Sequence, residues 1–69
     1  MPFTKKEYPD SLKYFMAPVR NKAIDIVNAL LAEGSDETRA IAIGTAKAEE
    51  WASNRGMKIR KDNAPENKK

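Results

Sequence analysis

Cysteine and histidine are both absent from these 69 residues. Their absence removes disulfides, thiolate and imidazole metal ligands, and the side chain best suited to acid–base work near neutral pH. Long apolar runs are missing as well. The longest stretch, Ala29-Leu30-Leu31-Ala32, is far short of the roughly 20 residues that span a bilayer, and too short for a signal-peptide core. A cytoplasmic chain with no membrane association is the expectation. A single domain of this length hides only roughly 60% of the surface its unfolded form exposes. With neither disulfide nor metal as a staple, the fold must rest on its own packing or on a partner subunit.

Apolar residues make up 41% of the chain and charged residues 33%, a balance that suits a small globular domain. The net charge of +3 is unevenly placed. Residues 1–56 carry eight basic and eight acidic side chains and sum to zero. The whole excess lies in residues 57–69, where Lys58, Arg60, Lys61, Lys68 and Lys69 face Asp62 and Glu66. The basic character therefore belongs to a tail and not to a folded surface.

The first seven residues lack a helical period and read as an extended arm, from which Phe3 and Tyr8 can fold back. Pro9 and Asp10 suit a helix start, and Leu12, Phe15 and Met16 share a face, so a short helix is expected near 9–15. Pro18 then opens a second helix, expected over 18–33 and stopped by Gly34. Spaced at 100° intervals, Val19, Ala23, Ile24, Ile26, Val27, Leu30 and Leu31 form its apolar face. Asn21, Lys22, Asp25, Asn28 and Glu33 fall opposite. Ser35 reads as the N-cap of a third helix over 36–55, with Asp36 and Glu37 in its first turn and Gly56 as its stop. Its inner stripe is mostly small: Ala40, Gly44, Ala48 and Ala52 step by four, and Ile41 and Trp51 supply bulk. Trp51 is expected to be buried against the preceding helix.

Little chemistry remains for such a chain. Glu49 and Glu50 are adjacent, so on a helix they point about 100° apart and cannot share a proton. Asp36 and Glu37 are explained by the helix dipole. A ligand pocket of ordinary size is hard to fit in so small a core. Neither an enzyme, nor a cofactor, nor a metal site is expected. A helix, a short glycine-containing turn and a second helix could form a helix-turn-helix reader of DNA. The outer face of the last helix, however, offers only Arg39 and Lys47 as bases, and Glu49 and Glu50 would repel phosphates. The tail bases Lys58, Arg60, Lys61, Lys68 and Lys69 would give weak, salt-sensitive attraction at most. The small-residue stripe instead suits a protein partner or a homodimer, unless the arm covers it.

The runs Lys5-Lys6-Glu7-Tyr8-Pro9-Asp10-Ser11-Leu12-Lys13, Val19 to Leu31, Arg39 to Ile43 and Ala46 to Ala52 resemble the N-terminal module of the small bacterial YdaT-like proteins. In that family a second domain typically follows the module, whereas here a charged tail follows Gly56. The resemblance implies no catalytic residue and a loose association with general stress. The opening Met1-Pro2-Phe3 and the alanine-rich, tryptophan-containing helix are more faintly similar to the ChaB family, which would imply a role in regulating cation transport.

The sequence thus predicts an all-α fold. Residues 1–56 form a small helical bundle with one short and two longer helices, and residues 57–69 form a disordered basic tail. The long helices meet either as an αα-hairpin or as a helix-turn-helix-like corner. The expected role is a non-enzymatic accessory or protein-interaction module; the alternative is a small DNA-associated protein using the helix pair and the tail.

Overall fold

Two glycines set where the long helices end and where the chain goes next. In a computed structural model that describes residues 3–60, a 3-10 turn over Asp10–Leu12 precedes helices α1 (Ala17–Ala32) and α2 (Glu37–Asn54). Gly34 closes α1 at φ 95° and Gly56 closes α2 at φ 66°, a backbone region that favours residues without a β-carbon. Each closure is a Schellman motif. After α1, the Ser35 N–H reaches the Leu30 carbonyl and the Gly34 N–H the Leu31 carbonyl, both at 3.0 Å. After α2, Met57 bonds back to Ala52 at 2.9 Å and Gly56 to Ser53 at 3.1 Å. Among the described residues no regular strand forms, and an isolated antiparallel bridge links Phe15 with Arg60. The all-α class expected from the sequence is the one observed.

Local chemistry corrects one cap. Ser35 gives its backbone N–H to the closure of α1 and α2 begins only at Glu37, so the capping position falls on Asp36, whose Oδ2 accepts the Arg39 N–H at 3.3 Å. At the other helix start, Met16 is extended and Pro18 sits in the first turn, where its missing donor costs nothing.

The two helices pack through their smallest residues. Ala23 on α1 and Ala40, Gly44, Ala48 and Ala52 on α2 are all buried. At Gly44 the backbones come so close that an added β-carbon would overlap the Val27 Cγ2 methyl. It would also stand 3.2 Å from the Ala23 carbonyl oxygen and the Val27 nitrogen. Further along, Trp51 meets Lys22, so the pairing runs back down α1 as it climbs α2. The pair is an αα-hairpin, antiparallel and joined by the four residues 33–36.

Phe15, Leu12, Val19 and Val27 are the largest fully buried side chains, each contributing about 1.5–3 kcal/mol of apolar transfer. Leu12 and Phe15 come from the 3-10 segment and its exit, and they plug the open end of the hairpin; partly buried Phe3, Tyr8, Met16, Trp51, Met57 and Ile59 pack against the same cluster. Four of the thirteen residues assigned to the tail therefore belong to the folded body. The Schellman closure turns Met57 back toward the core, and the Ile59 carbonyl accepts the Met16 N–H at 2.8 Å. The remaining tail bases, Lys61, Lys68 and Lys69, lie outside the described residues.

Candidate interaction surface

A hairpin has a seam with two flanks, and here the flanks differ. On one, the rows Arg20-Ile24-Asn28 of α1 and Ile41-Thr45-Glu49 of α2 lie at one-turn spacing. This flank is closed by other parts of the chain. Asn28 holds the arm through its side-chain amide. The Arg20 guanidinium lies 5.0 Å from the Tyr8 ring centroid, and Arg60 reaches Glu49 at 3.4 Å while lying over Phe15. The sequence placed Asn28 opposite the apolar face, but it is buried. The reason is that the arm, invisible to a helical wheel, packs on that side and uses the amide as a two-sided anchor.

The opposite flank carries the rows Lys22-Ile26-Leu30 and Ile43-Lys47-Trp51. The contact between Lys22 and Trp51, with the ammonium 5.4 Å from the ring centroid, shows that these rows adjoin. Ile26, Leu30, Ile43 and Trp51 are each partly buried. Of these four, only Trp51 packs against the main core cluster, which is built around the open end of the hairpin. The contacts of the arm through Phe3, of Tyr8 and of Arg60 described above all fall on the Asn28 side. Trp51 is thus at the rim and not in the core. Its wheel sector is right, but the stripe it shares is filled by Ala48 and Ala52, and the larger indole is displaced outward beneath Lys22 and Arg55, the latter at 5.3 Å. Such cation–aromatic pairs are worth about 0.5–1 kcal/mol at exposed sites.

Comparison with known proteins adds one relative. Over 54 residues, which is 78% of the chain, it is 59% identical to a protein of Bacillus subtilis (strain 168), the uncharacterised protein YdaT. The helical body is a YdaT-like module. A stretch of that length within 69 residues necessarily includes 16–54, so both helices of the module lie inside the matched region. The chain spans about a third of that relative, 36% of its length. No family model matches the chain, so the ChaB resemblance has no second observation behind it. No solved structure matches it either.

Within the YdaT-like module the candidate nucleic-acid contacts are scattered. Arg39 is exposed in the first turn of α2, and Lys47 stands two turns further on, beside Trp51 on the bare flank. That separation is about 12 Å along the helix. Arg60 is engaged by Glu49 and Phe15 on the other flank, and Lys58 also has an interaction of its own. The described bases therefore do not converge on one face of α2. Among the described residues no group of three or more acidic side chains could hold a metal ion, and no helix is long and apolar enough to cross a membrane.

Proposed function

We propose that this YdaT-like module is a non-enzymatic protein-interaction domain, acting in the cytoplasm, whose partner docks along the bare flank of the hairpin. One observation carries the reading: the two flanks of one seam are treated differently. The Asn28 flank is sealed by the arm, by Tyr8 and by the returning C-terminal segment. The Ile26–Leu30–Ile43–Trp51 flank keeps four large apolar side chains only partly buried. A contiguous apolar patch rimmed by polar groups is what a monomer avoids and an interface uses.

The test is site-specific cross-linking in the native cell. A photoreactive residue replacing the exposed Ala29, which borders the bare flank, should yield a discrete protein adduct. The same residue replacing exposed Ser11, in the 3-10 turn, should yield none. The DNA-associated alternative makes an opposite demand. Sequence-selective binding to duplex DNA at physiological salt, lost on removing Arg39 or Lys47, would overturn the interaction reading. Cell fractionation checks the cytoplasmic setting.

A further inference from the structure

The bare flank has a charge pattern that specifies what can lie on it. In the half of the hairpin nearest the turn, residues 25–46, the acids Asp25, Glu33, Asp36 and Glu37 outnumber the one base, Arg39. In the open half, 17–24 and 47–56, the bases Arg20, Lys22, Lys47 and Arg55 outnumber Glu49 and Glu50, and Glu49 is already paired with Arg60. The hairpin is thus negative at its tip and positive at its base. The flank inherits this polarity: Glu33, the exposed C-cap of α1 three residues past Leu30, borders the row Lys22-Ile26-Leu30 at the tip, and Arg55 continues the row Ile43-Lys47-Trp51 at the base. No described carboxylate pairs with Lys22, Lys47 or Arg55. Ile26 and Ile43 sit near the middle, between the two charged ends.

We propose that the occupant of this flank is a second copy of the chain, packed antiparallel so that the tip of each hairpin lies on the base of the other. This rests on the interaction reading above and names its partner. A two-fold axis passing beside Ile26 and Ile43 places those isoleucines against their own counterparts. It also brings Glu33 of one copy over the Lys22–Trp51–Arg55 end of the other. The arrangement is self-complementary and closed, so it stops at two copies. A parallel pairing would set tip against tip and base against base, and like charges would oppose it. The product is a four-helix assembly in which the partly buried aliphatic side chains of both copies become core.

The experiment is sedimentation equilibrium of the full chain over a wide concentration range, with circular dichroism on every variant. The wild type should show a monomer–dimer equilibrium that weakens as salt rises. Ile43→Glu should keep its helical signal and sediment as a monomer. Lys22→Glu and Glu33→Lys should each weaken self-association by about tenfold or more, and the two together in one chain should restore it. A wild-type monomer at every concentration would overturn self-pairing. So would a dimer indifferent to Ile43→Glu, or a charge-swapped double variant no better than either single. These failures differ from failure of the interaction reading itself. A monomeric wild type that still forms a discrete adduct from position 29 assigns the flank to a different protein and leaves that reading intact.

Discussion

Asn28 holds Phe3 by both ends of one amide: its Oδ1 accepts the Phe3 N–H at 3.2 Å and its Nδ2 donates to the Phe3 carbonyl at 2.9 Å. A side chain in the middle of α1 thereby does for the arm what a neighbouring strand would do, pairing both backbone groups of a residue 25 positions away. The arm is also shaped locally, because Thr4 Oγ1 accepts the N–H groups of Lys6 and Glu7 at 3.2 and 3.0 Å.

Asn28→Leu should release the arm at a cost of about 1–2 kcal/mol, the net worth of two hydrogen bonds whose backbone partners can return to water. Amide exchange at Phe3 should accelerate while α2 stays protected. Asn28→Asp adds a pH test. A neutral carboxyl can still donate to the Phe3 carbonyl, whereas a carboxylate faces that oxygen with like charge. The contribution should therefore be present at low pH and be lost as pH rises through the carboxyl pKa.

Gly44→Ala tests the close approach of the helices. Alanine is favoured over glycine by about 1 kcal/mol within a helix, so an open site would gain stability. Here the new methyl meets a stiff, β-branched Val27 and two backbone atoms. The helices must move apart, and overpacking of this kind costs about 1–3 kcal/mol. A net fall in thermal midpoint is expected, of about 4–8 °C per kcal/mol for a domain of this size. A rise would mean that the interhelical gap is wider than the structure has it.

Trp51→Ala should cost less than the roughly 3–5 kcal/mol of a fully buried aromatic, because the indole is only partly buried at the rim. The emission maximum of this sole tryptophan should lie between the buried and the fully hydrated values. Emission at the hydrated limit would remove Trp51 from the seam.

Met57–Arg60 should be needed for full stability. Chains ending at Arg60 and at Gly56 isolate these residues. The shorter one loses the Ile59 carbonyl that accepts Met16 N–H, the apolar cover of Met57 and Ile59 on the core, and the Arg60–Glu49 pair. A midpoint lower by several degrees is expected for the chain ending at Gly56. Equal midpoints would show that the returning segment contributes nothing.

Both long helices, their glycine stops and the small-residue stripe were legible in the sequence, because each depends on neighbours within a turn or two. Val19, Ala23 and Val27 recur at helical spacing, and Gly34 and Gly56 stand where only a residue without a β-carbon closes a helix easily. The expected short helix near 9–15 shrank to the turn Asp10–Leu12. Phe15 is needed in the core and Pro18 restarts the chain soon after, which leaves no room for a longer run. The candidate surface was only partly visible: the stripe suggested a partner, but the wheel could not tell its two flanks apart.

That difference marks the boundary between what the sequence determines by itself and what the tertiary structure decides. A period of 3.6 residues names the face of a helix that seeks cover, and it does so from local geometry alone. It carries no information on which distant segment arrives to cover it. Asn28 was polar and therefore placed outside, until the arm made the same amide an internal anchor. Met57 to Arg60 were too charged and too few in apolar groups to expect order, until the closure at Gly56 aimed them at Phe15. Trp51 was large and apolar and therefore placed inside, until alanines brought the helices too close to hold it. In each case the deciding contact joins residues far apart in the chain, so only the assembled hairpin, with its arm and returning segment in place, could choose.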